Sequence, residues 1–350
     1  MKKTAYYTIY EDLRTRIEEG KYTKGDKLPS KRTTASLYHV SLVTVEHALE
    51  LLLEEGYIVS RERSGYEVIY EPDSFFSVGN EENMHQSHSV EKDEESFPYS
   101  VLARAMRKVL SEYDEELLNR RENTGCYELR EAIARYLGRS RDLFVSPDQI
   151  VIGAGAEYLY TLIPVLLGRK KIYGLEDPGY AKIGLIYRSM GIHVDPLKMG
   201  ENGIESTELE RTDARILHVT PFHSYPTGVT ADKEKRKEYI QWADEKKAII
   251  VEDDFESEFA PDIRQEHTLF SMEPDHTVLY LNTFTRTIAS AIRIGYMVLP
   301  ESLTDRYMRY LSYRACTVST FDQLTVAELL NSGAFERHLH KVRNLRKNHQ

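Results

Sequence analysis

Two short stretches of this 350-residue chain carry residue types that could do chemistry. Gly153-Ala154-Gly155-Ala156-Glu157 follows an apolar run and opens a helical one. Small residues at such a turn let backbone N–H groups and the positive end of a helix approach an anion, a phosphate above all. Val251-Glu252-Asp253-Asp254-Phe255 ends another apolar run in carboxylates, which read by themselves as a helix cap. The two cysteines, Cys126 and Cys316, have neither metal-ligand spacing nor the makings of a disulfide framework, which suits a reducing cytoplasm.

The elements that must position these residues alternate helices with short apolar strands from about residue 97 onward. The strands are expected at Ile150–Gly153, Lys171–Leu175, Ile216–Thr220, Ala248–Glu252 and Thr277–Leu281. That alternation predicts an α/β body with a mostly parallel sheet. Before it, residues 71–96 hold runs such as Glu91-Lys92-Asp93-Glu94-Glu95 and few apolar anchors, and read as a linker. Residues 1–70 have a different order. Tyr6, Ile9, Leu13 and Ile17 space a helix over 5–18. Ser30 caps a second helix to about Leu37, and Ser41 caps a third with Val45, Ala48, Leu49 and Leu52 inward. Tyr57–Ser60 and Tyr66–Tyr70 form a hairpin with its tip at 61–65. Three helices and a hairpin make a winged helix-turn-helix, whose third helix enters the DNA major groove.

No apolar run approaches the roughly 18 residues needed to cross a bilayer, and the start, Met1-Lys2-Lys3-Thr4, leads into a polar helix instead of an export signal. The expected location is the cytoplasm. The net charge of −10 argues against non-specific coating of DNA. Within residues 1–70, 11 Lys and Arg balance 11 Asp and Glu, where a DNA-reading head usually has a basic excess.

The strings Gly25-Asp26-Lys27-Leu28-Pro29-Ser30-Lys31-Arg32, Val40-Ser41-Leu42-Val43-Thr44-Val45 and Glu55-Gly56-Tyr57-Ile58 resemble the N-terminal domain of the GntR family. The resemblance implies that Lys31, Arg32, Ser41, Thr44, His47 and the wing residues Arg63, Ser64 and Gly65 contact DNA. The family usually carries arginines where Leu42 and Glu46 stand. Their loss should weaken binding or change the operator. A head that only dimerises, or a relic, is the alternative.

From about Phe97 to the last residue the chain resembles fold-type I pyridoxal-phosphate enzymes, the aminotransferase class. With the head, this is the architecture of MocR-like regulators. The run from Asn123-Thr124-Gly125-Cys126-Tyr127 to Ala134 is similar to the family's entry helix. The Gly155-Ala156-Glu157 turn then becomes a phosphate site. Glu176-Asp177-Pro178-Gly179-Tyr180 looks like the loop whose tyrosine covers the pyridine ring. Thr220–Gly228, with Tyr225, matches the turn beside the ring's 3-hydroxyl. By the same resemblance Asp253 pairs with the ring nitrogen, and Thr283, Thr285 and Arg293 hold the phosphate. Two positions depart. Phe255 stands where the family has a tyrosine that donates to the 3-hydroxyl. Arg286 stands where the family has the lysine that condenses with the cofactor aldehyde. A guanidinium stays protonated to a pKa above about 12 and is a poor nucleophile.

The expected protein is thus a DNA-binding regulator, a homodimer by resemblance, with pyridoxal phosphate or an amino acid as effector and no covalent anchor. A vestigial pocket in a degenerate paralogue and a working aminotransferase are the alternatives, and Arg286 argues against the second. DNA binding should need the paired heads and be strongly salt-sensitive. The chain ends in a basic helix, 335–350, that in MocR-like proteins leads into a small domain supplying an arginine for the substrate carboxylate. Its absence here implies a truncated form, a broken gene product or a shortened natural one.

Overall fold

A computed structural model of the chain describes residues 5–54, 57–61, 65–70, 96–255, 257–259, 267–273 and 278–348. Gly56, Arg63, Ser64, Thr277 and the linker segment 71–95 lie outside them. The chain divides into two compact units, Met1–Ser89 and Val90–Gln350.

In the first unit, α1 (Ala5–Glu18), α2 (Lys31–Tyr38) and α3 (Leu42–Glu54) precede a hairpin of β1 (Ile58–Arg61) and β2 (Gly65–Val68). Ile9, Leu13 and Ile17 recur at i, i+4 and i+8 on α1 and are buried with Val45, Ala48, Leu49 and Leu52 of α3. Ser30 caps α2 by accepting from the amide of Thr33 at 3.2 Å. His39 ends that helix in the left-handed region, φ +53°, and so turns the chain into α3. The strands pair antiparallel from Ile58–Val68 to Arg61–Gly65. The first strand thus starts one residue later than the sequence suggests, and the second starts one residue earlier and ends two residues sooner.

The second unit opens with α4 (Tyr99–Tyr113), α5 (Tyr127–Arg141), β3 (Ile150–Gly153), α6 (Ala156–Leu167), β4 (Tyr173–Asp177) and α7 (Ala181–Ser189). It continues with β5 (Val194–Gly200), β6 (Gly203–Ile204), α8 (Ser206–Arg211), β7 (Ile216–Val219), α9 (Lys233–Lys246) and β8 (Ile249–Asp253). It closes with α10 (Leu269–Met272), β9 (Val278–Thr283), β10 (Gly295–Val298), α11 (Glu301–Leu311), α12 (Thr320–Asn331) and α13 (Ala334–Asn348). Among the described residues, eight strands form one sheet in the order β3-β10-β9-β8-β7-β4-β5-β6. Pairing is parallel from β5 through β4, β7 and β8 to β9. It is antiparallel where β10 meets β3 and β9, and where β6 meets β5.

Helices cover both faces, so the central strands are buried on both sides and alternate residues feed two cores. Leu217, Val219, Ile250 and Tyr280 point to one core. Ile216, Val251, Leu279 and Leu281 point to the other. Four strands depart from the expected bounds, β7 by ending at Val219, one residue before Thr220. β4 begins two residues later than Lys171, because its parallel ladder with β5 and β7 starts at Tyr173. β8 runs on to Asp253 and β9 to Thr283, past the last apolar residue of each. Asn282 and Thr283 are polar yet buried against Tyr296 and Gly295 of β10. Apolar residues mark burial by hydrophobicity, whereas a strand lasts as long as its backbone is paired.

Candidate functional site

The parallel strands share a C-terminal edge, and β3 runs the same way because two antiparallel pairings with β10 intervene. The turns leaving that edge carry nearly every expected site residue. Open α/β sheets bind ligands in the crevice outside such strand ends. Here a cavity of about 240 Å³ is lined by Ala156, Glu157, Tyr160, Tyr180, Tyr225, Phe255, Thr283, Thr285, Arg286 and Arg293.

One wall is built for an anion. Gly155 caps α6 with φ +78°, and a side chain there would come within 3.2 Å of the Arg293 guanidinium. The backbone conformation requires glycine, whereas the guanidinium could swing aside. Gly295, at the start of β10, lies as close to the same turn: a Cβ on it would sit 3.0 Å from the Gly155 carbonyl carbon. Thr285 donates its amide to Thr283 Oγ1 at 3.2 Å, and the two hydroxyls lie 2.8 Å apart. Arg293 stands 3.9 Å from Glu157, which pairs with Lys182 at 2.8 Å and is held below the usual carboxylate range by that contact.

The other wall is aromatic. Tyr180 stacks on Phe255 with centroids 6.5 Å apart and meets Tyr225 edge-on at 6.2 Å. Glu176 secures the turn that carries Tyr225, accepting from Ser224 Oγ at 2.6 Å and from the Thr220 amide at 3.0 Å. Loss of hydration pushes its carboxyl up to about 7.

Asp253 lies at the end of β8, 1% exposed. Tyr160 donates its hydroxyl to Asp253 Oδ2, and His218 Nε2 is 3.5 Å from the same oxygen. Tyr187 in turn holds His218 at 2.8 Å. Asp253 Oδ1 is buried with no hydrogen-bond partner among the described residues. A buried acceptor left open is what a protonated ring nitrogen would satisfy. The donor set therefore fits a phosphorylated pyridine: amides, hydroxyls and a guanidinium at one end, aromatic faces, and an open carboxylate oxygen. Among the described residues that line the cavity there is an arginine, Arg286, and no lysine.

Tyr160 is the cavity residue that the sequence reading missed. Its only signal in the sequence is its place just over one turn into the helix that opens after Gly155. The acidic triplet at 252–254 also separates in space, because strand side chains alternate. Glu252 and Asp254 face away from Asp253. Glu252 accepts from the amides of Leu269 at 2.8 Å and Phe270 at 2.9 Å, the first turn of α10. Of the three carboxylates, Glu252 is thus the one that serves a helix start, beside Thr268, whose hydroxyl caps α10. Asp254 pairs with the buried Arg141 and accepts from Tyr280 Oη at 2.7 Å.

In the N-terminal unit, Ser41 and Thr44 bond to each other, Oγ to Oγ1 at 2.8 Å, while Ser41 Oγ caps α3 through the Thr44 amide. Arg32, His47 and Gly65 are exposed. Lys31 is held by Glu46 at 2.8 Å, a pairing that the sequence did not suggest.

Comparison with known proteins follows the same division. The profile "Bacterial regulatory proteins, gntR family" matches residues 5–68. The profile "Aminotransferase class I and II" matches residues 92–350. The HTH-type transcriptional regulator YdeL of Bacillus subtilis is 32% identical, over 97% of this chain and 76% of its own. The HTH-type pyridoxine biosynthesis transcriptional regulator PdxR of Corynebacterium glutamicum is 28% identical, over 96% and 75%. Among solved structures, LysN, the alpha-aminoadipate aminotransferase of Thermus thermophilus, is 27% identical with a TM-score of 0.63, covering 71% of this chain and 64% of its own. The kynurenine aminotransferase of Pyrococcus horikoshii superposes with a TM-score of 0.65 at 24% identity, covering 71% and 64%. The chain therefore spans about three quarters of these regulators and just under two thirds of these aminotransferases. No described helix is long and apolar enough to cross a membrane.

Proposed function

The chain belongs to the family of HTH-type transcriptional regulators that join a GntR head to an aminotransferase class I and II body, and from that premise we propose that its body is a non-covalent sensor of a pyridoxal-phosphate-class ligand. Residues 1–70 then form the DNA-binding head, 71–96 the linker and 97–350 the sensing body of a cytoplasmic homodimer. Two heads held together read two half-sites, which offsets the neutral charge of each one.

The observation that carries this reading is the composition of one cavity: Thr283, Thr285, Arg293 and the Gly155 turn on one side, and Arg286 among the lining residues. The Ala156 amide at the start of α6, both threonines and Arg293 would hold the phosphate. Asp253 Oδ1 would accept from the ring nitrogen, and Tyr180 and Phe255 would cover the ring. When bound, such a group supplies an electron-withdrawing ring. Phe255 offers no hydroxyl to it, and Arg286 offers a guanidinium, a poor nucleophile. Arg286 is therefore assigned to charge recognition at the mouth of the site. The regulator PdxR, whose name ties it to pyridoxine biosynthesis, makes a vitamin-B6 phosphate the first ligand to test.

Titration of the full chain with pyridoxal phosphate, read by calorimetry, should give saturable binding. Intact mass after borohydride reduction should be unchanged. Retardation of the chain's own upstream DNA at low salt should respond to the ligand. No heat and no thermal shift at high ligand would leave the cavity a relic. A mass gain on reduction would return the protein to the enzymes.

A further inference from the structure

The third helix of the head turns an unexpected face outward. Its inner side is Val45, Ala48, Leu49 and Leu52. Its outer side carries Leu42, Val43, Glu46, His47 and Glu50, and the sequence of α3 holds no lysine or arginine. Leu42 is 46% exposed and Val43 60%, although both are large and apolar. Guanine is read in the major groove mainly by the paired donors of arginine or lysine, which α3 cannot offer. It offers two apolar side chains and a carboxylate at its N-terminal end, where recognition helices meet base edges. The groove has matching features: the thymine 5-methyl group, and the cytosine N4 amino donor that a glutamate accepts from.

Glu46 is engaged with Lys31, Nζ to Oε1 at 2.8 Å, and Lys31 also lies 5.7 Å from the Tyr66 ring centre. Both members of the ion pair are more than a third exposed, so it is screened and readily exchanged. A phosphate can replace Glu46 as the partner of Lys31, and an amino group can replace Lys31 as the partner of Glu46. The pair also cancels the carboxylate's repulsion of DNA until a base is there to accept from.

We propose that this head reads pyrimidine groups in the major groove: Leu42 and Val43 against thymine methyls, and Glu46 against a cytosine amino group, with Lys31 passing to a backbone phosphate as DNA docks. The proposal rests on the head being a DNA reader and adds which base groups it reads. It makes the operator poor in guanine contacts from α3 and leaves affinity to phosphate contacts, hence to low salt.

The test is selection from a random-sequence duplex pool with the full chain at low salt, followed by anisotropy titration of the enriched duplex. The enriched site should hold thymines and a cytosine at fixed positions. Replacing those thymines with uracil removes only the methyl groups and should weaken binding about fourfold for each methyl contacted. In the L42A/V43A double variant, thymine and uracil duplexes should bind alike; both side chains are exposed, so the fold is retained. In Glu46→Ala the preference for cytosine should vanish. A guanine-rich site, a thymine–uracil difference of zero in the wild type, or a difference that persists in L42A/V43A overturns the proposal while leaving DNA binding intact. No enrichment and no retardation overturns the DNA-binding reading itself, and the proposal with it.

Discussion

Raising the pH from about 6.5 to 8 should destabilise the C-terminal unit through one buried carboxyl, Glu252. This side chain is fully buried, and loss of hydration with the nearby charge of Asp254 pushes it up to about 8. In the unfolded chain it returns to the ordinary glutamate value near 4.3. The folded value lies above the unfolded one. The folded protein therefore holds a proton that the unfolded chain has released, and stability falls as pH rises towards 8. The slope is about 1.4 kcal/mol per pH unit, so the interval from 6.5 to 8 costs about 2 kcal/mol. The window matters. His338 is pushed below its usual value by burial and contributes in the opposite direction, but only below about 6.5. Glu176, raised to about 7, and Glu258, raised by burial, act in the same direction as Glu252, chiefly below 7.

Urea unfolding followed by tryptophan fluorescence isolates the unit, because the chain has a single tryptophan, Trp242, and it lies in this unit's core. Glu252→Gln should flatten the dependence between 6.5 and 8. It should also lower stability uniformly by about 1 kcal/mol, since an amide has one acceptor oxygen for the two backbone donors of α10. Stability that rises over this interval, or a slope identical in the variant, would refute the reasoning.

Further outcomes follow from the cavity. Arg293→Ala should weaken binding of pyridoxal phosphate by about ten- to a hundredfold, the loss of one charge-assisted contact, with calorimetry as the readout; an unchanged Kd would remove Arg293 from the phosphate site. Arg286→Lys supplies a primary amine to the cavity and should yield a protein whose mass increases after pyridoxal phosphate and borohydride; no adduct at saturating ligand would show that position 286 is not aimed at the aldehyde. Tyr160→Phe takes a hydrogen-bond donor from the buried Asp253 and should cost about 1–3 kcal/mol of stability, measured by urea unfolding. The same variant should bind pyridoxal phosphate more tightly, since the carboxylate is then less satisfied without ligand; weaker binding would make the hydroxyl a ligand contact.

The head was legible because its signals are local. Ser30 and Ser41 cap their helices, and the i, i+4 pattern of Ile9, Leu13 and Ile17 marks the inner face of α1. The body's strands were legible wherever burial and pairing coincide, as in Ile150–Gly153. They were misplaced where polar residues continue the ladder, as Asn282 and Thr283 do. Arg286 was informative in the sequence alone, because a guanidinium's basicity does not depend on where the chain puts it.

What the sequence determined by itself was therefore the kind of chemistry each motif can support: an anion-binding turn, an acidic strand end, and a guanidinium in place of an amine. Only the tertiary structure decided which motifs meet. Gly155, Tyr180, Tyr225, Phe255, Thr285 and Arg293 are spread along the chain, and the strand order brings the turns that carry them to one edge of the sheet. The same structure turned Glu252 and Asp254 away from Asp253 and laid Tyr160 over its carboxylate. It also set Lys31 against Glu46 in the head. Local pattern reports which side of an element is buried. It does not report what another element, brought close by strand order and crossover, will place against that side.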